Sequence, residues 1–472
     1  MSLTIPRLVV AGTHSGVGKT TVATGLMAAF ADRGRRVTSF KVGPDFIDPS
    51  YHRLATGRPA RNLDAVLSGA DRLAPLFAHG ARDADIAVVE GVMGLFDGAA
   101  RPLPEAGDTG PGAPASTAHV ARLLDAPIVL VVDAGALSTS VAAIVHGFVS
   151  FDPALRVAGV VCNRVGSERH AQLLAEALDP LGVPMLGTLP VDERIAAPSK
   201  HLGLVPAAER DADARRAVGS LGQRLAERLD LERVERIAAD APPVHDPAWD
   251  PAEAVDGEVP HERAPGPAPR VAVAGGPAFT FTYPEHRELL AAAGADVLDV
   301  DPVRDPRLPE GTDALVVGGG FPETYADELS ANATLRAEVA ALAARDAPIL
   351  AECGGLLYLA RALDGREMCG VLPAEAAMTE KLVLGYREAT AATDSVAWHA
   401  GERSRGHEFH RTRIAPGVGA QPAWHLDDRP EGFVAGSVHA SYLHTHWSAT
   451  PAVAARVMRG ARARGGRRRV AP

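Results

Sequence analysis

The chain has 472 residues, too many for one compact core, and this length predicts two domains of roughly 200 residues each. Apolar residues make up 46% of the sequence without any run long enough to cross a bilayer, which favours an ordinary globular protein over a membrane protein. The net charge of −10 argues against a nucleic-acid partner, and three scattered cysteines exclude a disulfide framework or a zinc site, so we expect a reducing, cytoplasmic setting.

The first half of the chain alternates short apolar runs with helical patterns. The apolar runs lie at residues 8–11, 86–89, 128–132 and 157–161. Segments rich in alanine, leucine and arginine lie between them, such as residues 21–33 and 116–124. Since continuous apolar strands that alternate with helices form parallel sheets covered on both faces, the pattern predicts an α/β domain over residues 1–240.

A phosphate-binding loop is predicted at residues 8–21, which read LVVAGTHSGVGKTT. A short apolar strand leads into small residues and then a helix, so that backbone N–H groups and the helix N-terminus face an anion. Lys19 would reach the terminal phosphates, and Thr20 would ligate Mg²⁺. Thr13 stands where the pattern has its first glycine, so a strand–turn–helix with an incidental Gly-Lys-Thr is the alternative. The predicted nucleotide-binding residues are Gly12, Thr13, Gly16, Gly18, Lys19, Thr20 and Thr21.

Acidic residues follow two of the predicted strands. Asp45 and Asp48 lie three residues apart after an apolar stretch. Glu90 ends the next strand, and Asp97 lies in the loop beyond it. Because ligands bind at the carboxyl ends of parallel strands, we expect Glu90 to share Mg²⁺ with Thr20, and Asp45 to be a further metal or substrate ligand. Read alone, each acid would more often be a solvated loop residue or a helix cap.

Asn163 follows a further predicted strand at residues 157–161. Its side-chain amide carries both a donor and an acceptor, which suits the edge of an adenine base. An asparagine that only stabilises a loop turn is the alternative.

The composition changes sharply at residues 241–269, which are rich in proline, acid and alanine and have no periodic apolar face. This segment is predicted to be an interdomain linker. Strand patterns resume at residues 270–274, 314–317, 348–351 and 433–439. They predict a second α/β domain over residues 270–460, followed by an arginine-rich, disordered tail at residues 461–472.

A reactive cysteine is predicted at Cys353, between an apolar strand and a glycine-rich helix start. This arrangement is the cysteine version of the nucleophile elbow, in which the helix dipole lowers the pKa of the thiol. Gly354 leaves room for a substrate amide, and the two glycines after Cys353 favour a nucleophile over a buried structural cysteine.

Such a nucleophile needs a histidine and donors for an oxyanion. His439 directly follows an apolar strand and is predicted to be the base, ahead of His444 and His446. No carboxylate lies two residues after His439, so the group that orients the histidine stays open. Another strand runs into three consecutive glycines, and Gly319 together with Gly354 is predicted to stabilise the oxyanion; a tight turn is the alternative.

These motifs occur in an order that resembles one family, the cobyrinic acid and hydrogenobyrinic acid a,c-diamide synthases of cobalamin biosynthesis. The resemblance spans nearly the whole chain, and the family shares the Thr13 departure from the phosphate-loop pattern, as do dethiobiotin synthetases. The motifs are GTHSGVGKT at residues 12–20, EGVMGLFDG at 90–98, AECGG at 351–355 and VHASYLH at 438–444, with further matches at 41–48, 385–387 and 405–410. The resemblance implies a dethiobiotin-synthetase-like phosphate-loop domain and a class I glutamine amidotransferase-like domain.

The resemblance also implies a reaction. ATP with Mg²⁺ would phosphorylate the c and then the a acetate carboxylate of a corrinoid acid, and ammonia released from glutamine would form each amide. The implied roles are ATP and metal binding for Lys19, Thr20 and Glu90, contact with the corrin and metal for Asp45, Asp48 and Asp97, and glutamine hydrolysis for Cys353 and His439. The composition, rich in alanine, arginine and glycine, suggests a genome of high GC content, which is often that of an aerobe. This favours the metal-free ring.

Two alternatives stay open. The same ligase chemistry on another tetrapyrrole, such as nickel-sirohydrochlorin, uses the same motifs. A regulatory or partitioning phosphate-loop ATPase with an idle glutaminase-like domain is an alternative of another class, but such proteins usually carry a second lysine early in the loop, which residues 12–17 lack. The expected partners are glutamine and a corrinoid acid, and a homodimer is among the assemblies that the sequence allows.

Overall fold

The computed structural model describes residues 3–100, 107–191, 211–257, 267–427 and 429–465. The chain divides into two compact units, Met1–Trp249 and Asp250–Pro472. Both units are α/β, which confirms the fold class predicted from the sequence. Within the described ranges, no helix is both long enough and apolar enough to span a membrane.

The first unit is built on one sheet of seven parallel strands. The strands are β1 Arg7–Gly12, β2 Val37–Val42, β3 Arg61–Leu63, β4 Ile86–Glu90, β5 Ile128–Asp133, β6 Val157–Val165 and β7 Met185–Pro190. Their order across the sheet is β3-β2-β4-β1-β5-β6-β7. β1, β2 and β4 are buried along their whole length, as expected for central strands of a parallel sheet.

The described part of this unit also contains eight α-helices. They are α1 Lys19–Asp32, α2 Asp48–Thr56, α3 Leu73–Gly80, α4 Thr117–Leu123, α5 Ser140–Phe151, α6 Glu168–Leu178, α7 Asp211–Arg228 and α8 Leu231–Ala239. α1 and α7 pack closely because Gly25 has no side chain: a Cβ there would lie 2.5 Å from a methyl group of Leu225. Both helices contribute to a core that includes Val10, Phe30 and Val88.

Strand register brings the predicted acids to the phosphate loop. Val10 on β1 is paired with Glu90 on β4, and Lys41 on β2 is paired with the same glutamate from its other side. The chain leaves β1 at Gly12, two residues beyond Val10. Because these strands are parallel, their carboxyl ends lie along one edge of the sheet, where ligands of such sheets bind.

The second unit contains two sheets. Its strands are β8 Arg270–Ala274, β9 Asp296–Val300, β10 Thr312–Val317, β11 Ile349–Glu352, β12 Ala362–Leu363, β13 Arg366–Glu367, β14 Glu375–Ala391, β15 Arg403–Ala415, β16 Trp424–Leu426, β17 Arg429–Glu431, β18 Phe433–Ala435, β19 Val438–Ser441 and β20 His444–Thr445. The first sheet has the order β18-β19-β11-β10-β8-β9 and is parallel except at β18. The second sheet has the order β13-β12-β14-β15-β20; β16 also pairs with β14, and β17 pairs with β16.

Helices complete the second unit: α9 Pro251–Asp256, α10 Pro284–Ala292, α11 Ala326–Ala331, α12 Ala333–Ala344, α13 Gly354–Leu359 and α14 Ala452–Gly465. The long antiparallel ribbon of β14 and β15 was not among the predicted elements. Many of its side chains are partly or fully exposed, so it lacks the continuous apolar runs by which the other strands were recognised.

Part of the predicted linker is ordered in the structure. Val244 pairs with Leu3, and the Trp249 N–H donates to the carbonyl of Pro75 at 2.9 Å, so residues 241–249 pack on the first unit. Helix α9 follows directly, because the Asp250 carboxylate caps its first turn. Residues 258–266 of the predicted linker lie outside the described residues.

The predicted disordered tail is wrong at its start. α14 continues to Gly465, Ala461 is fully buried, and the Arg462 guanidinium donates to the carbonyl of Ala293 at 3.1 Å. The arginine-rich composition therefore belongs in part to a packed helix. Residues 466–472 of the predicted tail lie outside the described residues.

Candidate active sites

The phosphate loop connects β1 to α1 through backbone that only glycine adopts readily. Gly16 and Gly18 have φ angles of 81° and 104°, in the left-handed region. No side chain caps the first turn of α1, so its N–H groups are available to a ligand. The loop therefore has the backbone geometry of an anion cradle.

The entrance and exit of the loop are fixed by packing. A Cβ on Gly12 would lie 2.6 Å from a methyl group of Val17, so the loop could not fold back over a larger residue. The Thr13 N–H donates to the carbonyl of Val131 on β5 at 3.3 Å. Thr21 is buried in the first turn of α1.

Lys19 lies across the loop and is almost fully buried. Its ammonium donates to the carbonyl of His14 at 3.2 Å and to the carbonyl of Met93. Burial, followed by repulsion from Lys41, lowers the pKa of Lys19 to about 8. An anionic ligand in the loop would favour the charged amine and so would be bound more tightly by it.

A buried ionic cluster lies at the end of β4. Glu90, which is 0% exposed, accepts a hydrogen bond from the Thr20 hydroxyl at 2.6 Å and one from the Lys41 ammonium at 3.0 Å. The same ammonium lies 2.8 Å from a carboxylate oxygen of Asp48, and the Thr20 hydroxyl lies 3.3 Å from that residue. The structure thus brings Thr20, Glu90 and Asp48 together, as the sequence predicts.

Electrostatics within this cluster favour charged forms for the central pair. Burial alone would raise the pKa of Glu90, but Lys41 and a 2.6 Å hydrogen bond with His52 outweigh it and hold the pKa below its usual range. Burial alone would likewise lower the pKa of Lys41, but Glu90, Asp48 and Asp45 together raise it. Burial and the neighbouring Glu90 raise the pKa of Asp48, so this carboxyl is the one most easily protonated.

The other two predicted acids have local structural roles. Asp45 accepts hydrogen bonds from the N–H groups of Ile47 and Asp48 at the start of α2, and its second oxygen lies 4.0 Å from the Lys41 ammonium. It is therefore a helix cap at the border of the cluster. Asp97 is exposed and accepts a hydrogen bond from the Gly94 N–H at 2.9 Å, which shapes the loop after β4.

Asn163 and its neighbour hold the phosphate loop from β6. The Asn163 side-chain N–H donates to the carbonyl of Val17 at 2.7 Å, and its oxygen accepts from the Arg164 N–H at 2.9 Å. Arg164 donates to the carbonyl of Gly16 at 3.0 Å and forms an ion pair with Asp133. The amide that was predicted to read adenine therefore has a loop-positioning role in this structure.

Cys353 has the geometry of a nucleophile elbow. It lies between β11 and α13 with φ 49° and ψ −101°, a strained conformation for a residue with a side chain. Its N–H donates to the carbonyl of Ser441 on β19 at 2.8 Å. A Cβ on Gly354 would lie 2.9 Å from the Gly320 nitrogen, and one on Gly355 would lie 2.2 Å from the Val317 carbonyl oxygen, so both glycines are required.

The thiol of Cys353 is in a dry environment. The residue is 3% exposed, and its thiol donates to the carbonyl of Phe409 at 3.9 Å. Burial, with a smaller contribution from Glu323, raises the pKa of the thiol above its usual range. The predicted lowering by the helix dipole is therefore wrong for this state of the molecule, because desolvation of a thiolate outweighs the field of a helix of only six residues.

The structure separates the candidate histidines. His439 is paired with Leu350, three residues before the nucleophile, which is about 10 Å along a strand. Its Nδ1 lies 3.2 Å from the Ser395 hydroxyl, and its ring packs edge-on against Trp424. These contacts argue against its selection as the base.

His444 lies beside the glycine loop instead. A Cβ built on Gly319 would lie 2.3 Å from His444 Cε1 and 3.1 Å from Nε2. Since a Cβ on Gly354 would also lie 3.4 Å from the Gly319 carbonyl carbon, the imidazole and the elbow border the same loop residue. His446 makes its 2.7 Å contact with the Ser448 hydroxyl.

The oxyanion donors also differ from the prediction. The Gly319 N–H donates to the carbonyl of Phe281 at 3.1 Å, so it is already used within the fold. The next nitrogen, that of Gly320, lies beside Gly354. The predicted glycine loop thus borders the elbow, and the N–H beside Gly354 belongs to Gly320.

A cavity of about 460 Å³ is lined by residues of β14, β15, β16 and β17. Arg387, Glu408, His410 and Glu431 line it together with apolar side chains. The Arg387 guanidinium donates to Glu408 at 2.6 Å. Charged groups of both signs and a volume in the range of small-molecule sites fit a zwitterionic ligand.

Comparison with known proteins identifies the family. The CobQ/CobB/MinD/ParA nucleotide binding domain matches residues 8–205, and the CobB/CobQ-like glutamine amidotransferase domain matches residues 270–452. The chain is 56% identical to the hydrogenobyrinate a,c-diamide synthase of Streptomyces coelicolor over 96% of each chain. The chain belongs to the a,c-diamide synthase family.

Two further a,c-diamide synthases show how names divide within the family. The hydrogenobyrinate a,c-diamide synthase of Mycobacterium bovis is 52% identical over 96% of this chain and 97% of its own. The cobyrinate a,c-diamide synthase of Gloeobacter violaceus is 46% identical over 95% of each chain. Membership of the family gives the first unit a nucleotide-binding domain and the second a glutamine amidotransferase domain.

Several residues of the two sites are not recognisable from the sequence. Lys41 was read only as part of a motif, and His52 was not singled out. The role of Lys41 depends on the parallel pairing of β2 with β4, and the role of His52 depends on its burial in α2. A single sequence displays neither feature. A buried lysine in a strand, as in VTSFKV, was the one available signal, because such a residue needs a carboxylate partner.

Proposed function

We propose that this protein amidates the a and c acetate carboxylates of hydrogenobyrinic acid, with ATP as activating substrate and glutamine as nitrogen source. One observation carries the proposal: a chain of this family combines a phosphate loop, whose Thr20 and Glu90 meet at 2.6 Å, with a cysteine elbow at Cys353. A ligation that needs both an activated acyl group and free ammonia requires both sites.

The first unit would bind ATP with Mg²⁺. The donor set fits the metal, because a threonine hydroxyl and the carboxylates of Glu90 and Asp48 are hard oxygen ligands. Bound Mg²⁺ would neutralise charge on the phosphates. Lys19 and the N–H groups at the start of α1 would hold the terminal phosphates, and Lys41 would keep Glu90 ionised. Asp45 and Asp97 border this region and are proposed to face the corrinoid acid.

Activation of the carboxylate follows from this arrangement. An oxygen of the substrate carboxylate attacks the γ-phosphorus, and the bond to ADP breaks with its electron pair leaving on ADP. Ammonia then attacks the acyl carbon, loses a proton and displaces phosphate. A free carboxylate has no adequate leaving group, so the phosphoryl transfer makes the amide bond accessible.

The second unit would supply the ammonia. The sulfur of Cys353 attacks the side-chain amide carbon of glutamine, and His444 takes the thiol proton and delivers it to the departing ammonia. The N–H groups of Gly320 and Gly354 would stabilise the oxyanion. Water then hydrolyses the thioester to glutamate. Because burial raises the pKa of the thiol, proton transfer to His444 accompanies attack by the sulfur.

The cavity beside β15 is the proposed glutamine pocket. Its Arg387 and Glu408 pair would meet the α-carboxylate and α-ammonium of the amino acid. The enzyme would then act on three small molecules of the cytoplasm, namely ATP, glutamine and a corrinoid acid, without a nucleic-acid or membrane partner. Light scattering of the purified protein would decide between a monomer and the homodimer that the sequence allows.

The choice of ring rests on the relatives. Those that are 51–56% identical are named hydrogenobyrinate a,c-diamide synthases, and those that are 41–46% identical are named cobyrinate a,c-diamide synthases. To test the proposal, purified protein is given hydrogenobyrinic acid, cobyrinic acid or nickel-sirohydrochlorin with ATP and glutamine, and product masses are read. Two amidations of the metal-free ring are expected at the highest kcat/KM. A higher kcat/KM for either metallated ring would overturn the assignment.

The histidine assignment has its own test. His444→Asn should abolish glutamine hydrolysis and leave amidation with added ammonia, because only the proton transfer at Cys353 is lost. His439→Asn is the matched control from the same segment and should retain glutamine hydrolysis. The reverse pattern would restore His439 as the base.

A further inference from the structure

We propose that Glu352, the residue directly before the nucleophile, is the positioning residue that orients His444 for proton transfer. The inference rests on the proposed function, since it concerns the glutaminase step. It answers what the sequence left open, namely which group holds the imidazole when no acid follows the histidine two positions later. It would make the site a Cys–His–Glu arrangement with the acid on the nucleophile's own strand.

Glu352 is held rigidly at the end of β11. The residue is 8% exposed, and its Oε1 accepts hydrogen bonds from both the N–H of Thr445 at 3.2 Å and the Thr445 hydroxyl at 2.8 Å. Thr445 directly follows His444 on β20. The carboxylate is therefore tied to the same short strand that carries the imidazole, so the two side chains are positioned together.

The second carboxylate oxygen faces the imidazole. Oε2 of Glu352 lies 3.9 Å from Nδ1 of His444. The Cε1–Nε2 side of the ring lies next to Gly319 and hence towards the elbow loop. This is the orientation that proton transfer needs, with one nitrogen directed to the acid and the other to the reacting groups. The 3.9 Å separation leaves room to tighten when substrate binds.

The residue that would occupy the usual acid position has another neighbour. Two residues after His444 stands His446, whose Nδ1 contacts the Ser448 hydroxyl at 2.7 Å and whose Nε2 lies 3.7 Å from Glu285. A carboxylate from β11 therefore replaces one from the histidine's own segment. Glu285 offers a matched comparison, because it is a buried glutamate that faces a different histidine.

Charge in the pocket supports this geometry. Burial raises the pKa of Glu352 to about 7, and burial, followed by His407 and His410, lowers the pKa of His444 to about 3. His286 on α10 is a further titratable group near His444. Between about pH 3 and about pH 7 both partners are thus neutral. As pH rises through about 7, Glu352 ionises and becomes able to stabilise the imidazolium that forms when the thiol proton moves.

The test uses the full chain with Glu352→Gln, which keeps the shape and an acceptor for Thr445 but removes the charge. Glutamine hydrolysis is measured from pH 5.5 to 9, alongside amidation with added ammonia. We expect kcat for glutamine hydrolysis to fall by about 10²- to 10⁴-fold and its rise near pH 7 to disappear. KM for glutamine and ammonia-dependent amidation should stay unchanged. The control Glu285→Gln should keep the wild-type pH profile.

A second variant tests the same inference in case Glu352→Gln does not fold. Thr445→Val removes only the hydroxyl that braces Glu352, and it should lower kcat by about 10-fold without changing KM. Wild-type kcat and pH profile in Glu352→Gln would overturn the inference, and so would an equal change in Glu285→Gln. Absence of glutamine-dependent amidation in the wild-type protein would instead overturn the proposed function, so the two failures are distinguishable.

Discussion

The two candidate sites treat charge in opposite ways. At the phosphate loop, Lys41 and Glu90 are buried yet paired, and their neighbours shift both pKa values towards the charged forms. At the cysteine elbow, burial raises the pKa values of Cys353 and Glu352 and lowers that of His444, so each group favours its neutral form. Both sites lie at the carboxyl ends of parallel strands, so the difference comes from the partners and not from the fold.

The comparison indicates how each site is prepared for its chemistry. Fixed opposite charges need no reorganisation when an anionic nucleotide arrives, which is the condition for electrostatic stabilisation of phosphoryl transfer. A neutral thiol in a dry pocket reacts slowly with other electrophiles, and it becomes a nucleophile only when a substrate amide and a base share its proton. The charges of the phosphate-loop site are in place before the nucleotide binds, whereas the thiol of the elbow becomes reactive only when substrate is present.

The largest expected effect separates the two sites completely. Cys353→Ala should lower glutamine-dependent amidation by about 10⁵-fold or more, because no other group can form the thioester. Amidation with added ammonia should stay close to the wild-type rate. Product formation is measured by mass with each nitrogen source. Loss of both activities would contradict two separate sites.

Loss of the loop lysine should act on both nitrogen sources. Lys19→Ala removes a buried cation from the phosphate loop and should lower amidation by about 10³-fold with glutamine or with ammonia. Glutamine hydrolysis measured on its own should persist. Arg35→Ala, which removes an exposed cation of the same unit, serves as the control. Normal amidation by Lys19→Ala would show that activation occurs elsewhere.

The charged cluster should matter for folding as well as for activity. Glu90→Gln leaves the Lys41 ammonium with less compensation in a buried place, and we expect the first unit to lose about 3 kcal/mol of unfolding free energy. Denaturant titration followed by far-UV circular dichroism measures it. A change near zero would mean that water already solvates the cluster.

The smallest expected effect concerns His439. Its pKa is lowered to about 3 by burial, so its neutral form contributes stability that is fully present above about pH 6.5 and is lost as pH falls towards 3. Between pH 7.5 and pH 5, wild type should lose about 2 kcal/mol relative to His439→Asn. Fluorescence of Trp398, Trp424 and Trp447 reports the second unit. Equal pH dependence would refute a buried neutral imidazole.

The sequence predicted the two α/β domains well because the central strands of their parallel sheets are continuous apolar runs, which the ribbon of β14 and β15 lacks. It also predicted that Thr20 and Glu90 meet, since strand ends of a parallel sheet share an edge. It did not reveal the role of Lys41, whose partner is 49 residues away and is brought close only by the register of β2 and β4. The proposed change of base from His439 to His444 has a related reason. Both follow apolar residues, and no local pattern shows which imidazole reaches the glycine loop.

The pairing of Lys41 with Glu90 has a consequence for how the sheet assembles. β4 reads IAVVE, and a shift by one residue would replace Glu90 with Val89 beside the buried ammonium. Runs of similar apolar side chains distinguish neighbouring alignments poorly, but an unpaired buried cation penalises the wrong one strongly. Lys41 and Glu90 would therefore also favour the correct alignment of β2 with β4 during folding.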